Sequence, residues 1–319
     1  LYYPLPSKVL KGSFDDSKIL VTTKILTDGK ETCRMDIALL GTGLMGRPMA
    51  ERILQVSHKL TVFNRTLEKA QPLKPLGARI ASSAKEAIQS SECVILMLAD
   101  ARAIQDLLLS DRSRKELSGR TVIQMGTISP SESMDLNEQV VESGAEYLEA
   151  PVLGSTPEAQ AGRLIVMVGS SAPQYERWSA ILKIFSSKPI RVGPVGQASA
   201  LKLALNQLIA PLTASFSLSL AFVQRKGIKV DLFMKILRES ALYAPTFDKK
   251  LQRMLERNYS NPNFPTRHLA KDIDLFLSEA KGVNLQPAAL EGVGRLVKMT
   301  LDDGLSDMDY SALFNTINP

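Results

Sequence analysis

From residue 35 onward the chain alternates short apolar runs with stretches whose apolar positions recur at helical spacing. Residues 37–40, 60–63, 94–98 and 122–125 are mostly apolar runs of four or five. Such runs fit strands buried on both faces of a parallel sheet. Between them, 47–55, 68–73 and 84–89 read as helices, with Met49, Ile53 and Val56 roughly on one face. Residues 77–80 read as a short strand, and 147–149, 164–168 and 190–192 add three more candidates. This alternation predicts a doubly wound α/β sheet domain over 35–197. Beyond 197 the period lengthens. Residues 200–225, 230–239, 247–256, 268–280 and 288–302 carry 3.6-residue patterns and predict an all-α domain over 198–319. No Gly/Ser-rich linker separates the two, so a long interdomain helix is the predicted joint. Residues 1–34 show no sustained period and read as a poorly packed N-terminal extension.

Length agrees with this division, since 319 residues allow two domains of about 150. Lys plus Arg exceeds Asp plus Glu by 39 to 33, but the excess is not clustered. That argues against nucleic-acid binding and suits a basic pocket for a phosphorylated ligand. Cys33, Cys93, His58 and His268 lack metal-ligand spacing, so neither a metal site nor a disulfide framework is expected. Residues 203–224 carry no charge, but Asn206, Gln207, Thr213, Ser215, Ser217 and Ser219 would be costly in lipid. They read as a buried helix, not a membrane span. Asp15, Asp16, Asp28 and Glu31 argue against a transit peptide in the extension. With Met35 read as a plausible natural start, the expected location is the cytoplasm.

The run 37–40 leads into Gly41-Thr42-Gly43-Leu44-Met45-Gly46, a G-x-G-x-x-G turn between a strand and a helix. In that context the first glycine makes the turn, the second admits a pyrophosphate and the third lets helix pack on strand. The helix N-terminus adds N–H donors and partial positive charge. This identifies 35–197 as a Rossmann-type dinucleotide domain. The second strand ends in Asn64-Arg65-Thr66, with no Asp or Glu to hold a ribose 2′-hydroxyl. Arg65 can pair with a 2′-phosphate, and Asn64 and Thr66 can hydrogen-bond it. NADP is therefore expected ahead of NAD. Leu98 and Ala99 end one further strand and Thr127 another, where a bound cofactor would pass. Thr127 reads either as a nicotinamide-side ligand or as a turn former.

Lys202 and Asn206 stand four apart in the apolar helix start Ala200-Leu-Lys-Leu-Ala-Leu-Asn206, so they share one face. A lysine there either snorkels to solvent or serves as proton donor to a carbonyl, with Asn206 orienting it. The chain at this point resembles the β-hydroxyacid dehydrogenase family, which includes 3-hydroxyisobutyrate dehydrogenases and glyoxylate/succinic semialdehyde reductases. Four blocks carry the resemblance across 35–317: the glycine turn with Arg47-Pro-Met-Ala; Glu149-Ala-Pro-Val-Leu-Gly154-Ser155 with Ala159, Gly162 and Leu164; the run Gly193 to Asn206; and Leu269-Ala-Lys271-Asp272. The Asn64-Arg65-Thr66 turn is most similar to the NADPH-using aldehyde reductase branch.

The resemblance implies hydride transfer between a nicotinamide and a small aldehyde or hydroxyacid, with Lys202 as general acid and Asn206 supporting it. It implies that Gly154 and Ser155 hold substrate and that Lys271 and Asp272 help bind cofactor and close the cleft. Phe247 reads equally as a cleft wall, by similarity, or as a core aromatic. Two departures stand out. Leu153 replaces the family's serine, which removes a hydroxyl expected to hold a substrate carboxylate. Ala198 replaces a glycine at a helix start, where it is tolerable. The expected activity is NADPH-dependent reduction of glyoxylate or succinic semialdehyde. A 3-hydroxyisobutyrate-type dehydrogenase, a non-catalytic NADP-binding scaffold and an imine reductase stand as alternatives. The apolar faces of 208–223, with the resemblance, imply a homodimer or homotetramer.

Overall fold

The computed structural model describes residues 23–27 and 30–319. Strands β1 (Thr23–Thr27) and β2 (Lys30–Arg34) pair antiparallel within the segment read as an extension. The rest of that segment lies outside the described residues.

The main sheet uses β3 (Asp36–Leu40), β4 (Lys59–Phe63), β5 (Arg79–Ile80), β6 (Cys93–Leu96), β7 (Thr121–Gln124), β8 (Glu146–Glu149), β9 (Val152–Leu153), β10 (Ile165–Gly169) and β11 (Ile190–Gly193). Its order is β11-β10-β8-β7-β6-β3-β4-β5, with β9 on β10. β3 to β8 are all parallel, and β10 meets β8 antiparallel at Gly169 and Glu149. Ile37, Leu39 and Ile95 point to one apolar cluster, and Ala38, Leu40, Val94 and Leu96 to the other. Both faces are covered, so the strands are continuously apolar instead of alternating.

The covering helices are α1 (Gly46–Gln55), α2 (Ala84–Gln89), α3 (Ala101–Leu108), α4 (Asp111–Arg114), α5 (Pro130–Glu142), α6 (Thr156–Gln160) and α7 (Ala172–Leu182). The expected helix at 68–73 is instead two 3₁₀ turns, Leu67–Lys69 and Gln71–Leu76. Pro72 and Pro75 lack the N–H that an α-helix there would need. Pattern reading placed no helix at α5 or α7, whose sequences are too polar for a clear period. Each is started by a reciprocal cap, Ser129 with Glu132 and Ser171 with Gln174.

The second domain is all helical: α8 (Gln197–Asn206), α9 (Ile209–Arg225), α10 (Val230–Glu239), α11 (Pro245–Leu255), α12 (Thr266–Gly282), α13 (Ala288–Asp302) and α14 (Leu313–Ile317). The expected single helix over 200–225 is interrupted at Gln207 and Leu208. Pro211 explains the break, because it cannot donate to the Gln207 carbonyl and its ring crowds that group. By length and composition 197–225 could cross a membrane. Here α8 buries Lys202 and Asn206, while α9 buries Phe216 and Leu220 among the domain's own helices.

Candidate active site

The cofactor end is built where β3, β4, β6 and β7 stop. Gly41 has φ +100°, and a Cβ on it would collide with the Met97 carbonyl oxygen. A Cβ on Gly46 would strike the Gly41 carbonyl. Both positions therefore exclude any side chain. Gly43 is the opposite case: nothing lies within 4 Å of where its Cβ would be, and it is exposed. This is the bare backbone a pyrophosphate needs. Helix α1 starts there with no acidic residue in its first turn, so its dipole is free to favour an anion. Thr42 Oγ1 is buried without a hydrogen-bond partner beside the same turn. These features fit a dinucleotide, whose phosphates the Gly43–Gly46 backbone would hold.

Asn64 behaves differently from expectation. Its Oδ1 accepts the Thr42 N–H at 3.0 Å, and its Nδ2 donates to the Thr66 carbonyl at 2.8 Å. It ties the glycine turn to the end of β4, so its side chain is already engaged. Arg65 and Thr66 are exposed just beyond that tie, and the described residues give Arg65 no carboxylate partner. Leu98 is half-buried and Ala99 exposed after β6. Asp100 accepts the Ala103 N–H and starts α3. Thr127 is half-buried after β7, and its carbonyl accepts from Lys271 Nζ at 2.6 Å. That bond joins the helical domain to the cofactor end of the sheet.

Lys202 is buried, at 7% exposure, which removes the snorkelling alternative. Its Nζ donates to Asn206 Oδ1 at 2.7 Å, and Asn206 Nδ2 donates to Asp272 Oδ2 at 2.7 Å. Lys271 Nζ lies 3.0 Å from Asp272 Oδ1, an ion pair without good hydrogen-bond geometry. Four expected residues thus form one chain across α8 and α12. Burial pushes the Lys202 pKa down to about 8; the Asp272 charge opposes that fall and Lys271 adds to it. The ammonium is charged at neutral pH yet close to giving up its proton, which suits a general acid.

Two expected substrate residues are placed otherwise. Ser155 N–H and Oγ both donate to Glu158 Oε2, at 2.8 and 2.6 Å. Those bonds hold the Glu158 carboxyl below its usual range, and Lys249 Nζ stands 3.9 Å from its other oxygen. The donors expected to receive a substrate carboxylate are thus occupied by one from this chain. Gly154, with φ +134°, turns the backbone just before them. Phe247 stacks on Phe216 with centroids 4.6 Å apart and planes 8° apart, and is 7% exposed. It packs into the aromatic core of the helical domain. Glu149, the first residue of the block whose resemblance implies substrate binding, is fully buried against the first turn of α8. His268 is half-buried and stacks on Phe264, with burial lowering its pKa.

Known proteins fit this geometry. Residues 36–193 match the NAD binding domain of 6-phosphogluconate dehydrogenase, and 196–317 match the NAD-binding domain of NADP-dependent 3-hydroxyisobutyrate dehydrogenase. The chain is 30% identical over 285 residues to glyoxylate/succinic semialdehyde reductase 2, chloroplastic, of Arabidopsis thaliana, covering 89% of this chain and 79% of that one. It is 29% identical over 287 residues to glyoxylate/succinic semialdehyde reductase 1 of the same plant, covering 89% and 98%. The fold superposes on 3-hydroxyisobutyrate dehydrogenase of Mycobacterium tuberculosis with a TM-score of 0.81 at 20% identity, over 90% of this chain and all of that one. An open glycine turn and a buried lysine–asparagine–aspartate chain, in a sequence this similar, make the protein an NAD(P)-dependent oxidoreductase of the β-hydroxyacid dehydrogenase family.

Proposed function

We propose that the chain reduces small aldehydes with NADPH, and that glyoxylate and succinic semialdehyde, found in the names of two relatives, are the first candidates. The observation that carries this reading is the buried Lys202 ammonium, held by Asn206 and poised near neutrality. The bound cofactor supplies the hydride to the carbonyl carbon. Lys202 donates a hydrogen bond to the carbonyl oxygen, then its proton as alkoxide charge develops. Asn206 fixes the ammonium through its Oδ1 and is itself fixed by Asp272. Lys271 bridges Asp272 to the Thr127 carbonyl and so ties α12 to the cofactor end. Arg65, exposed at the end of β4 with no acidic neighbour in Asn64 or Thr66, supports a 2′-phosphate and hence NADP. The reverse reaction, with neutral Lys202 as base, would oxidise a hydroxyacid. The intact lysine chain disfavours a non-catalytic scaffold. The exposed apolar residues Leu212, Leu218 and Phe222 along one side of α9, with Leu208 just before it, support self-association through the helical domain.

NADPH consumption by the purified protein with glyoxylate, succinic semialdehyde, methylmalonate semialdehyde and an uncharged aldehyde, with NADH in parallel, tests the proposal. Turnover with NADPH that disappears in Lys202→Ala, with cofactor binding retained, is the expected result. Bound NADPH without turnover of any of these compounds would sink it.

A further inference from the structure

Glu149 ends β8 with both carboxylate oxygens fully used and no contact with solvent. Its Oε1 accepts the backbone N–H groups of Gly196 and Ala198 at 2.8 Å and of Ser199 at 3.2 Å. Its Oε2 accepts the Ser199 hydroxyl at 2.6 Å and the Ser133 hydroxyl at 2.5 Å. Ser133, on α5, also hydrogen-bonds the buried Tyr147 hydroxyl at 2.9 Å. Among the described residues no Lys or Arg forms an ion pair with this carboxylate. Five donors and the first turn of α8 compensate it instead. Space has been made for it: Gly169 faces Glu149 across β10 and β8, and a Cβ there would collide with Oε1.

The feature ties two parts of the site together. α8 carries Lys202 one turn after Ser199, while the glycine turn and the cofactor belong to the sheet. Lys202 is bonded to Asn206 on its own helix, so that bond cannot set its height above the sheet. The Glu149 clamp can, because it bonds the helix start to the end of a sheet strand. From this geometry we infer that Glu149 is the positioning residue of the proton donor, setting the placement of Lys202 against the carbonyl. This rests on the reading of Lys202 as that donor. An unpaired carboxylate buried for fold stability alone would be an expensive choice beside a neutral cap.

The test uses full-length variants. Glu149→Asp retracts the carboxylate by one methylene, so it cannot reach α8 and Ser133 together. kcat should fall by about 10–100-fold, as for a misplacement of about 1 Å, with NADPH affinity kept. Glu149→Gln can keep its oxygen on the three amides and turn its NH₂ to the hydroxyls, which can accept. It should recover most of the loss. If Glu149→Asp does not fold, Ser133→Ala with Ser199→Ala removes both hydroxyl donors and should lower kcat about tenfold, again without weakening NADPH. A second readout needs no turnover. Pyridoxal phosphate with borohydride labels free amines, and peptide mass spectrometry gives the pH midpoint for Lys202. That midpoint should move in Glu149→Asp and return in Glu149→Gln. A folded, NADPH-binding Glu149→Asp or double-serine variant with native kcat and native midpoint would overturn the inference. A native protein that turns over no carbonyl compound would sink the reductase reading, and the labelling midpoint alone would then decide the role of Glu149.

Discussion

Asp272→Asn tests the electrostatic support of Lys202, the proposed proton donor. The substitution keeps an oxygen for Asn206 Nδ2, so the chain from Lys202 through Asn206 to position 272 survives. The charge is lost, and with it the Asp272 ion-pair partner of Lys271. Two hydrogen bonds of 2.7 Å on either side of one amide group put the ammonium and the carboxylate on the order of 6–7 Å apart. At an effective dielectric constant of about 20, that separation gives about 2.4–2.8 kcal/mol. Divided by about 1.4 kcal/mol per unit, it is worth about 1.5–2 pKa units. Asp272 raises the Lys202 pKa, so its neutralisation must lower it, from about 8 to roughly 6–6.5. In the reductive direction kcat/KM falls as Lys202 loses its proton, so the alkaline fall should begin well over a pH unit earlier in the variant. At pH 7 the protonated fraction should drop several-fold. Aldehyde reduction followed from pH 5 to 9.5, with cofactor saturation checked at each point, measures this. A folded Asp272→Asn whose midpoint stays within about 0.3 units of the native one would refute the argument, since even a dielectric constant of 80 predicts a larger shift.

Other consequences are equally direct. On the proposal that Arg65 holds the 2′-phosphate, Arg65→Asp puts a 2′-hydroxyl acceptor in its place, so the ratio of kcat/KM for NADPH over NADH should fall at least about tenfold; an unchanged ratio would remove Arg65 from cofactor selection. Glu158→Ala frees the Ser155 N–H and hydroxyl, so KM for carboxylate-bearing aldehydes should fall while that for uncharged ones of equal length stays put. No change in either would place the Ser155 turn outside the substrate contact. Burial holds the Lys202 pKa down at about 8 in the folded chain, against the ordinary value of 10.5 that applies when it is unfolded. Between these values the unfolded chain holds the extra proton, so this group makes stability rise with pH through that window. Thermal unfolding of Lys202→Met should lack that rise, and parallel pH profiles for the two proteins would show that burial does not lower the Lys202 pKa.

The alternating apolar runs made the sheet domain legible because strands buried on both faces need no polar positions. Lys202 and Asn206 were legible as a pair because four residues of helix put them on one face. Asp272 could not be joined to them by spacing, since it comes from α12, 66 residues after Asn206. Only the resemblance brought Lys271 and Asp272 near the site. Two signals were present but local: Ser155-Thr-Pro-Glu158 is itself a capping pattern, as is Ser129-Pro-Ser-Glu132. The first foretells that Ser155 is engaged, and the second marks the start of α5. Phe247 stood open between wall and core because helical period gives the inward face, not which interior it joins. Glu149 left no sequence signal, since its donors come from positions 47 to 50 residues away and from Ser133 on another helix.

The strand order has a consequence for how the chain is made. β3 lies between β4 and β6, and Ile37 is paired with Cys93, 56 residues later. At a synthesis rate of about 5–20 residues per second, one side of β3 waits roughly 3–11 seconds for its neighbour. During that interval a strand that is apolar from Ile37 to Leu40 presents an open edge carrying unpaired N–H and C=O groups. The nascent protein is therefore most prone to aggregate before β6 leaves the ribosome. Slowing translation between residues 40 and 93 should reduce soluble yield more than slowing it after residue 200, where the elements being made are helices that satisfy their own backbone groups.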